Sequence, residues 1–165
     1  MPLCGIFNPA GCTPFWNISG QCYYDQNNDC SFDSVDVGTD YVKTQLYQAG
    51  VLVQQTFIGG EGYFSFDEVP NGNYTVQVDT SNLPFVVSCP NGNDYQVSLS
   101  AADSLSYSNN FAFKCRTQGF DLGVQSVLNS SDIPRPNAVI SMNTIAGDIS
   151  ELYGAHCASV ISGQV

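Results

Sequence analysis

The sequence predicts an all-β fold, a β-sandwich of seven or so short strands followed by an incomplete C-terminal β segment. Short runs of alternating apolar and polar residues recur along the chain, and Gly, Pro and Asn turn signals separate them. No run has convincing helical periodicity. The chain has 165 residues, 43% of them hydrophobic and 12% aromatic, which is enough for one good core and is typical of a turn-rich globular protein.

The predicted strands share this alternation, with turn residues at their ends. The clearest runs cover residues 16–24, 41–47, 51–57, 63–66 and 74–78. Further candidates cover residues 85–89, 95–99 and 110–115. Residues 41–47 and 51–57 form an apparent hairpin through a turn at Gln48-Ala49-Gly50.

Changes in character along the chain predict three parts. Residues 1–15 have little periodicity and are interpreted as a lead-in from a preceding module. Residues 16–118 form the sandwich, and residues 119–165 are a linker and the start of a following β module, because the remaining tail is too short to build its own sandwich. An unfinished β segment leaves an exposed edge that pairs with a strand offered to it.

The stretch between the first two predicted strands has oxygen-bearing side chains at the offsets of a twelve-residue calcium loop. The six residues at loop positions one, three, five, seven, nine and twelve are Asp25, Asn27, Asp29, Ser31, Asp33 and Asp36. An acidic, Asn-rich surface turn is the alternative, but six matches favour Ca²⁺. Cys30 replaces the usual Gly, and Asp36 replaces the usual bidentate Glu with a shorter side chain.

The charge balance excludes two classes of partner. Fifteen acids against four bases give a net charge of −11, so the chain is repelled by nucleic acid and by anionic lipid headgroups. No membrane-spanning run is visible, and direct membrane insertion is not expected.

Seven cysteines in a chain of this size predict disulfides and an oxidising, extracellular compartment. A zinc site is a weaker interpretation, because no Cys-x-x-Cys occurs and His156 is the single histidine. The expected bridges join six cysteines in the pairs Cys4–Cys12, Cys22–Cys30 and Cys89–Cys115. Cys157 is also expected in a disulfide, with no partner assigned.

Catalysis is not expected. The acids cluster in one loop at metal-ligand spacing rather than as a separated catalytic pair. His156 and Cys157 are adjacent, and neighbours in a strand point to opposite faces, so they are poorly placed for proton transfer.

The aromatic residues raise a carbohydrate- or protein-binding alternative. Trp16, Tyr23 and Tyr63 are candidates for exposure, but nothing in the sequence groups them.

Two motifs resemble the B-type repeats of serine-aspartate-repeat adhesins. These repeats belong to the wider group of collagen-adhesin B-type, prealbumin-like domains. The first is Ile18-Ser19-Gly20 followed by the acidic loop, and the second runs from Gly62 to Val76. The resemblance extends from about Ile18 to about Phe113. It implies an extracellular, immunoglobulin-like or prealbumin-like sandwich with Ca²⁺ in the first loop. Asp25, Asn27, Asp29 and Asp33 match the family's liganding side chains, Ser31 its backbone-carbonyl ligand and Asp36 its closing acid.

The expected function is therefore a structural spacer or stalk module of a large secreted or cell-surface adhesin, stiffened by calcium and disulfides. Its expected partners are neighbouring domains of the same polypeptide and a surface ligand. The alternative is a subunit of an extracellular filament, a homo-polymer in which the tail lends a strand to its neighbour.

Overall fold

The computed structural model describes residues 16–117, 122–129, 136, 141–148, 150, 153, 154 and 157. These residues form eleven strands and a 3₁₀ turn at Gly60–Gly62. The strands are β1 Trp16–Tyr24, β2 Val37–Gly38, β3 Lys43–Gln48, β4 Val51–Phe57, β5 Tyr63–Asp67, β6 Gly72–Asp79, β7 Phe85–Cys89, β8 Asp94–Leu99, β9 Phe111–Cys115, β10 Leu122–Asn129 and β11 Met142–Asp148. No described helix is long and apolar enough to cross a bilayer.

Strand β1 organises the first of two larger sheets, which has five strands. It pairs with β5 along its first half and with β2 at its end, both antiparallel. On its other side β1 runs parallel to β9, with Cys22 opposite Phe111, and β9 pairs antiparallel with β7. The second sheet is antiparallel throughout, with the order β4-β3-β6-β8.

The core lies between these two sheets, because alternate side chains of each strand face inward. In β5 the buried residues are Phe64 and Phe66, and in β6 they are Tyr74 and Val76. The rings of Tyr95 in β8 and Phe111 in β9 meet edge to face at 5.1 Å, so the two layers contact directly. The all-β sandwich predicted from the alternation is confirmed.

The predicted strand number is too low for the described residues, since the two larger sheets contain nine strands rather than seven. Strand β2 is only two residues long and is defined by its pairing with the end of β1. Such an element has no alternation of its own for the sequence to show.

The tail contributes a separate two-stranded sheet, in which β10 and β11 pair antiparallel. Described residues beyond it contact the sandwich at several points. Tyr153 packs edge to face on Phe85 at 5.7 Å, and Cys157 is buried in the core cluster and bonded to Cys115. These contacts hold Tyr153 and Cys157 on the sandwich. The boundary near residue 118, and a following module after it, stay predictions.

Candidate metal-binding loop

The acidic loop joins β1 to β2 and is fixed to the sandwich at its start. The backbone amide of Asp25 donates to the carbonyl of Phe113 in β9 at 3.0 Å, which extends the parallel β1–β9 pairing into the loop. Further on, the ring of Phe32 packs on Tyr23 of β1 at 5.3 Å. The loop is therefore held by the strand that precedes it.

Two carboxylates, at the first and twelfth positions, turn inward. Asp25 is 2% exposed and Asp36 is 9% exposed. Each accepts two backbone hydrogen bonds, one on each carboxylate oxygen. The donors, at 2.9–3.2 Å, are the amides of Gln26, Asp29, Cys30 and Asp33. The backbone therefore curls around these two side chains rather than away from them.

Three further predicted ligands lie together. The Asn27 Nδ2 donates to Asp29 Oδ2 at 3.0 Å and to Asp33 Oδ2 at 3.3 Å. A rotation of the Asn27 side-chain amide by about 180° places its oxygen where its nitrogen now lies, without any movement of the backbone. The other oxygens of the two acids accept amides two residues onward, from Ser31 at 2.8 Å and from Val35 at 2.9 Å.

The predicted ligands are thus gathered by one network of hydrogen bonds. Ser31 joins it through its amide, and its predicted role as a carbonyl ligand stays a prediction. Asp25, Asn27, Asp29, Asp33 and Asp36 all contribute side-chain oxygens or amides to it. Carboxylate and amide oxygens in this number are the donors that Ca²⁺ prefers, so the residues present fit that ion.

No cationic side chain offsets the four carboxylates within the described part of the chain, where the ion pair is Lys43 with Asp79 at 2.7 Å. Their negative potential is felt by Tyr23. Burial first, and then the charges of Asp25 and Asp36, raise the pKa of Tyr23 to about 12. A loop that collects uncompensated carboxylates in this way is electrostatically suited to a divalent cation.

The sixth loop position explains one departure from the usual loop sequence. Cys30 has φ of 65°, in the left-handed region where glycine is ordinarily favoured. Its sulfur is bonded to Cys89 at the end of β7, with the two Cα atoms 5.9 Å apart. The Cys30–Cys89 disulfide therefore occupies the loop position at which glycine usually supplies conformational freedom.

The predicted Cys22–Cys30 bridge is wrong, because Cys22 faces the opposite way. Its side chain is fully buried in the core cluster, where it is a free thiol, and burial raises its pKa well above the ordinary value. The loop reaches Cys89 instead, because β9 lies between β1 and β7 and brings the end of β7 to the loop.

The predicted Cys89–Cys115 bridge is also wrong. Strands β7 and β9 are antiparallel, so Cys115 lies opposite Phe85 at one end and Cys89 opposite Ala112 at the other. Cys115 is instead bonded to Cys157. The expectation that Cys157 lies in a disulfide is confirmed, and Cys115 is the partner that the sequence did not assign. The predicted Cys4–Cys12 bridge lies outside the described residues.

The sulfurs of Cys30 and Cys89 lie within 4.8 Å of an Asp25 carboxylate oxygen. Because they are joined in a disulfide, they are not thiolate ligands, and this cluster is not a second metal site.

Among the aromatic residues suggested for exposure, Tyr63 is exposed, whereas Tyr23 is buried and that prediction is wrong. The Trp16 side chain lies outside the described residues. Sequence reasoning missed Phe57 and Tyr107, which are both exposed and lie in one cleft with Tyr63. Their positions in separate segments gave no signal of this grouping.

A family model described as the SdrD B-like domain matches residues 17–126, from the second residue of β1 into β10. The match covers every strand of the two larger sheets. The family is one of non-enzymatic adhesin repeats that are typically extracellular or on the cell surface. No curated protein matches the chain.

Proposed function

Because the chain belongs to the SdrD B-like domain family, we propose that its sandwich is a non-catalytic spacer or stalk module of a large secreted or cell-surface adhesin. The module is stiffened by one Ca²⁺ in the loop from Asp25 to Asp36 and by disulfides. The observation that carries this proposal is the hydrogen-bonded ring of four carboxylates, with which no cationic side chain of the described residues is paired.

Each proposed ligand has a role set by its place in the loop. Side-chain oxygens of Asp25, Asn27, Asp29 and Asp33 hold the ion, the Ser31 carbonyl adds a neutral oxygen, and Asp36 closes the loop. When bound, Ca²⁺ supplies positive charge that offsets the repulsion among the carboxylates. Folding is then coupled to binding, because the ligands are collected only in the folded chain.

The disulfides support the same mechanical role. One joins the loop to β7 and the other joins β9 to the tail, with sequence separations of 59 and 42 residues. Cross-links over such long separations restrict the unfolded chain. A module that only holds its neighbours apart requires no active site, and its partners are then the adjoining domains of the same polypeptide.

A melting experiment tests the proposal. We expect EDTA to lower the melting temperature of the wild-type protein relative to millimolar Ca²⁺, because the ion binds the folded state alone. The double variant Asp25→Ala with Asp29→Ala should melt at one temperature under both conditions. Asp103→Ala, which removes an exposed carboxylate outside the loop, serves as the matched control and should keep the response to EDTA. Superimposable wild-type melting curves with and without Ca²⁺ would overturn the metal assignment.

Sedimentation separates the spacer from the filament alternative. A spacer keeps one sedimentation coefficient over a wide range of protein concentrations, whereas strand donation between copies gives polymers that grow with concentration. Bonding of Cys157 to the same chain's Cys115 supports the spacer, since it holds this part of the tail on its own sandwich.

A further inference from the structure

A cleft of about 470 Å³ lies between β4 and β5, which are edge strands of the two sheets, and reaches Ser19 of β1. Ser19 of β1 and Ser65 of β5 are paired across the sheet and are half-buried within the cleft. Ser65 and Tyr63 alternate with the buried Phe64 and Phe66, so they face away from the core. The cleft is thus a feature of the surface and not a gap in the packing.

Three aromatic rings border this cleft, and all three are largely exposed. Phe57 is 63% exposed, and Tyr63 and Tyr107 are each 57% exposed. They come from the end of β4, the start of β5 and the segment before β9. Exposed rings gathered from three separate segments around one cleft are unusual on a soluble domain and indicate a surface that binds something.

The backbone of Ser19 in β1, beneath the cleft, is already used. Ser19 pairs with Ser65 in the sheet, its amide donates to the Ser106 carbonyl at 2.9 Å, and its carbonyl accepts from Asn109. Strands β4 and β5 also border the cleft and are edge strands, so addition of a peptide strand is the competing mode of binding. A ligand that lies over β1 is instead held by rings and hydroxyl groups.

The side chains that line the cleft carry no charge. Five of them offer hydroxyls, namely Ser19, Thr56, Ser65 and the two tyrosines. The chain as a whole has a net charge of −11, which repels anionic ligands. A neutral sugar matches both properties, since its C–H face packs on an aromatic ring while its hydroxyls exchange hydrogen bonds with Ser and Thr. We propose that this cleft binds a short neutral oligosaccharide, a function additional to the spacer role.

Saturation-transfer NMR tests this proposal with defined probes. The panel holds neutral oligomers of glucose, N-acetylglucosamine, mannose and galactose, a sulfated heparin fragment and a proline-rich decapeptide. We expect transfer to at least one neutral oligomer and none to heparin. Tyr63→Ala combined with Tyr107→Ala should weaken that binding about tenfold or more, because two stacked rings are lost.

Two variants control for fold and for non-specific stacking. Tyr63→Phe combined with Tyr107→Phe keeps both rings and should keep binding. Tyr41→Ala removes a tyrosine that is 71% exposed but lies outside the cleft, and it should bind as the wild type does. Absence of transfer from every neutral oligomer would overturn the proposal. So would equal binding by the double alanine variant, preferential binding of the decapeptide, or self-association that the double alanine variant abolishes.

Discussion

Asn17 is the buried polar side chain that ties β1 to the turn before β6. Its Nδ2 donates to the Val69 carbonyl at 2.6 Å, and its Oδ1 accepts the Val69 amide at 3.0 Å, with the side chain 2% exposed. Asn17→Ala leaves both backbone groups buried without partners. We expect it to lower the free energy of unfolding by about 2–4 kcal/mol in urea denaturation. Asn73→Ala, at an exposed position of β6, should change that free energy by about 0.5 kcal/mol or less. If Asn17→Ala lowers the free energy of unfolding no more than Asn73→Ala does, water replaces the two hydrogen bonds of the Asn17 side chain.

Tyr23 gives the protein a pH dependence at the alkaline end. Its pKa is about 12, raised by burial and then by Asp25 and Asp36, whereas a tyrosine in the unfolded chain ionises near pH 10. The contribution of Tyr23 to stability is therefore fully present below about pH 10 and is lost as pH rises to about 12. Urea midpoints over this range should fall more steeply for the wild type than for Tyr23→Phe. Equal slopes would contradict the assignment, and Tyr41→Phe, at an exposed position, is the control that should follow the wild type.

At the scale of elements, strands with their own alternation are predictable and strands made by pairing are not. The bounds of β1, β4 and β7 agree with the predicted runs 16–24, 51–57 and 85–89. Strand β2 exists because Tyr23 and Tyr24 offer it backbone partners. Strand β11 was missed because its sequence contains Asn and Gly and its described side chains are mostly exposed, so no apolar stripe marks it.

The candidate site likewise has one part that the sequence predicts and another that it does not. Spacing within twelve residues predicts which side chains gather, because a short loop places its own residues. The partner of Cys30 lies 59 residues away and depends on β1 and β7 flanking β9. Nothing local in the sequence encodes that arrangement. The cleft bordered by Phe57, Tyr63 and Tyr107 was unpredictable for the same reason.

The bond between Cys30 and Cys89 is expected to pre-order the acidic loop. Chain entropy assigns about 4 kcal/mol to each disulfide at these separations, so Cys89→Ser and Cys157→Ser should lower overall stability by similar amounts. Only Cys89→Ser frees the segment whose Cys30 amide donates to Asp25. We expect it to weaken Ca²⁺ binding, measured by calorimetric titration, by about tenfold or more.

Cys157→Ser is the matched control for that titration, because it breaks a disulfide whose two cysteines both lie outside the loop. It should bind Ca²⁺ with wild-type affinity while melting at a lower temperature. Equal affinities for the two serine variants would mean that the loop orders itself without the cross-link.

At the scale of the whole molecule, charge and cross-links are placed to hold one shape. The four loop carboxylates are part of a net charge of −11, so the folded state is under electrostatic repulsion that the proposed divalent ion would relieve locally. The core between the sheets, the two described disulfides and the proposed ion would then stabilise the same sandwich. This combination suits a module that must keep its length under load.

The stoichiometry of Ca²⁺ binding, measured by isothermal titration calorimetry, tests this account most directly. We expect one ion per wild-type chain and no binding by the variant that carries Asp25→Ala with Asp29→Ala, with that variant's fold checked by circular dichroism. A wild-type protein that releases no heat and binds no ion, or a variant that still binds one, would contradict the account.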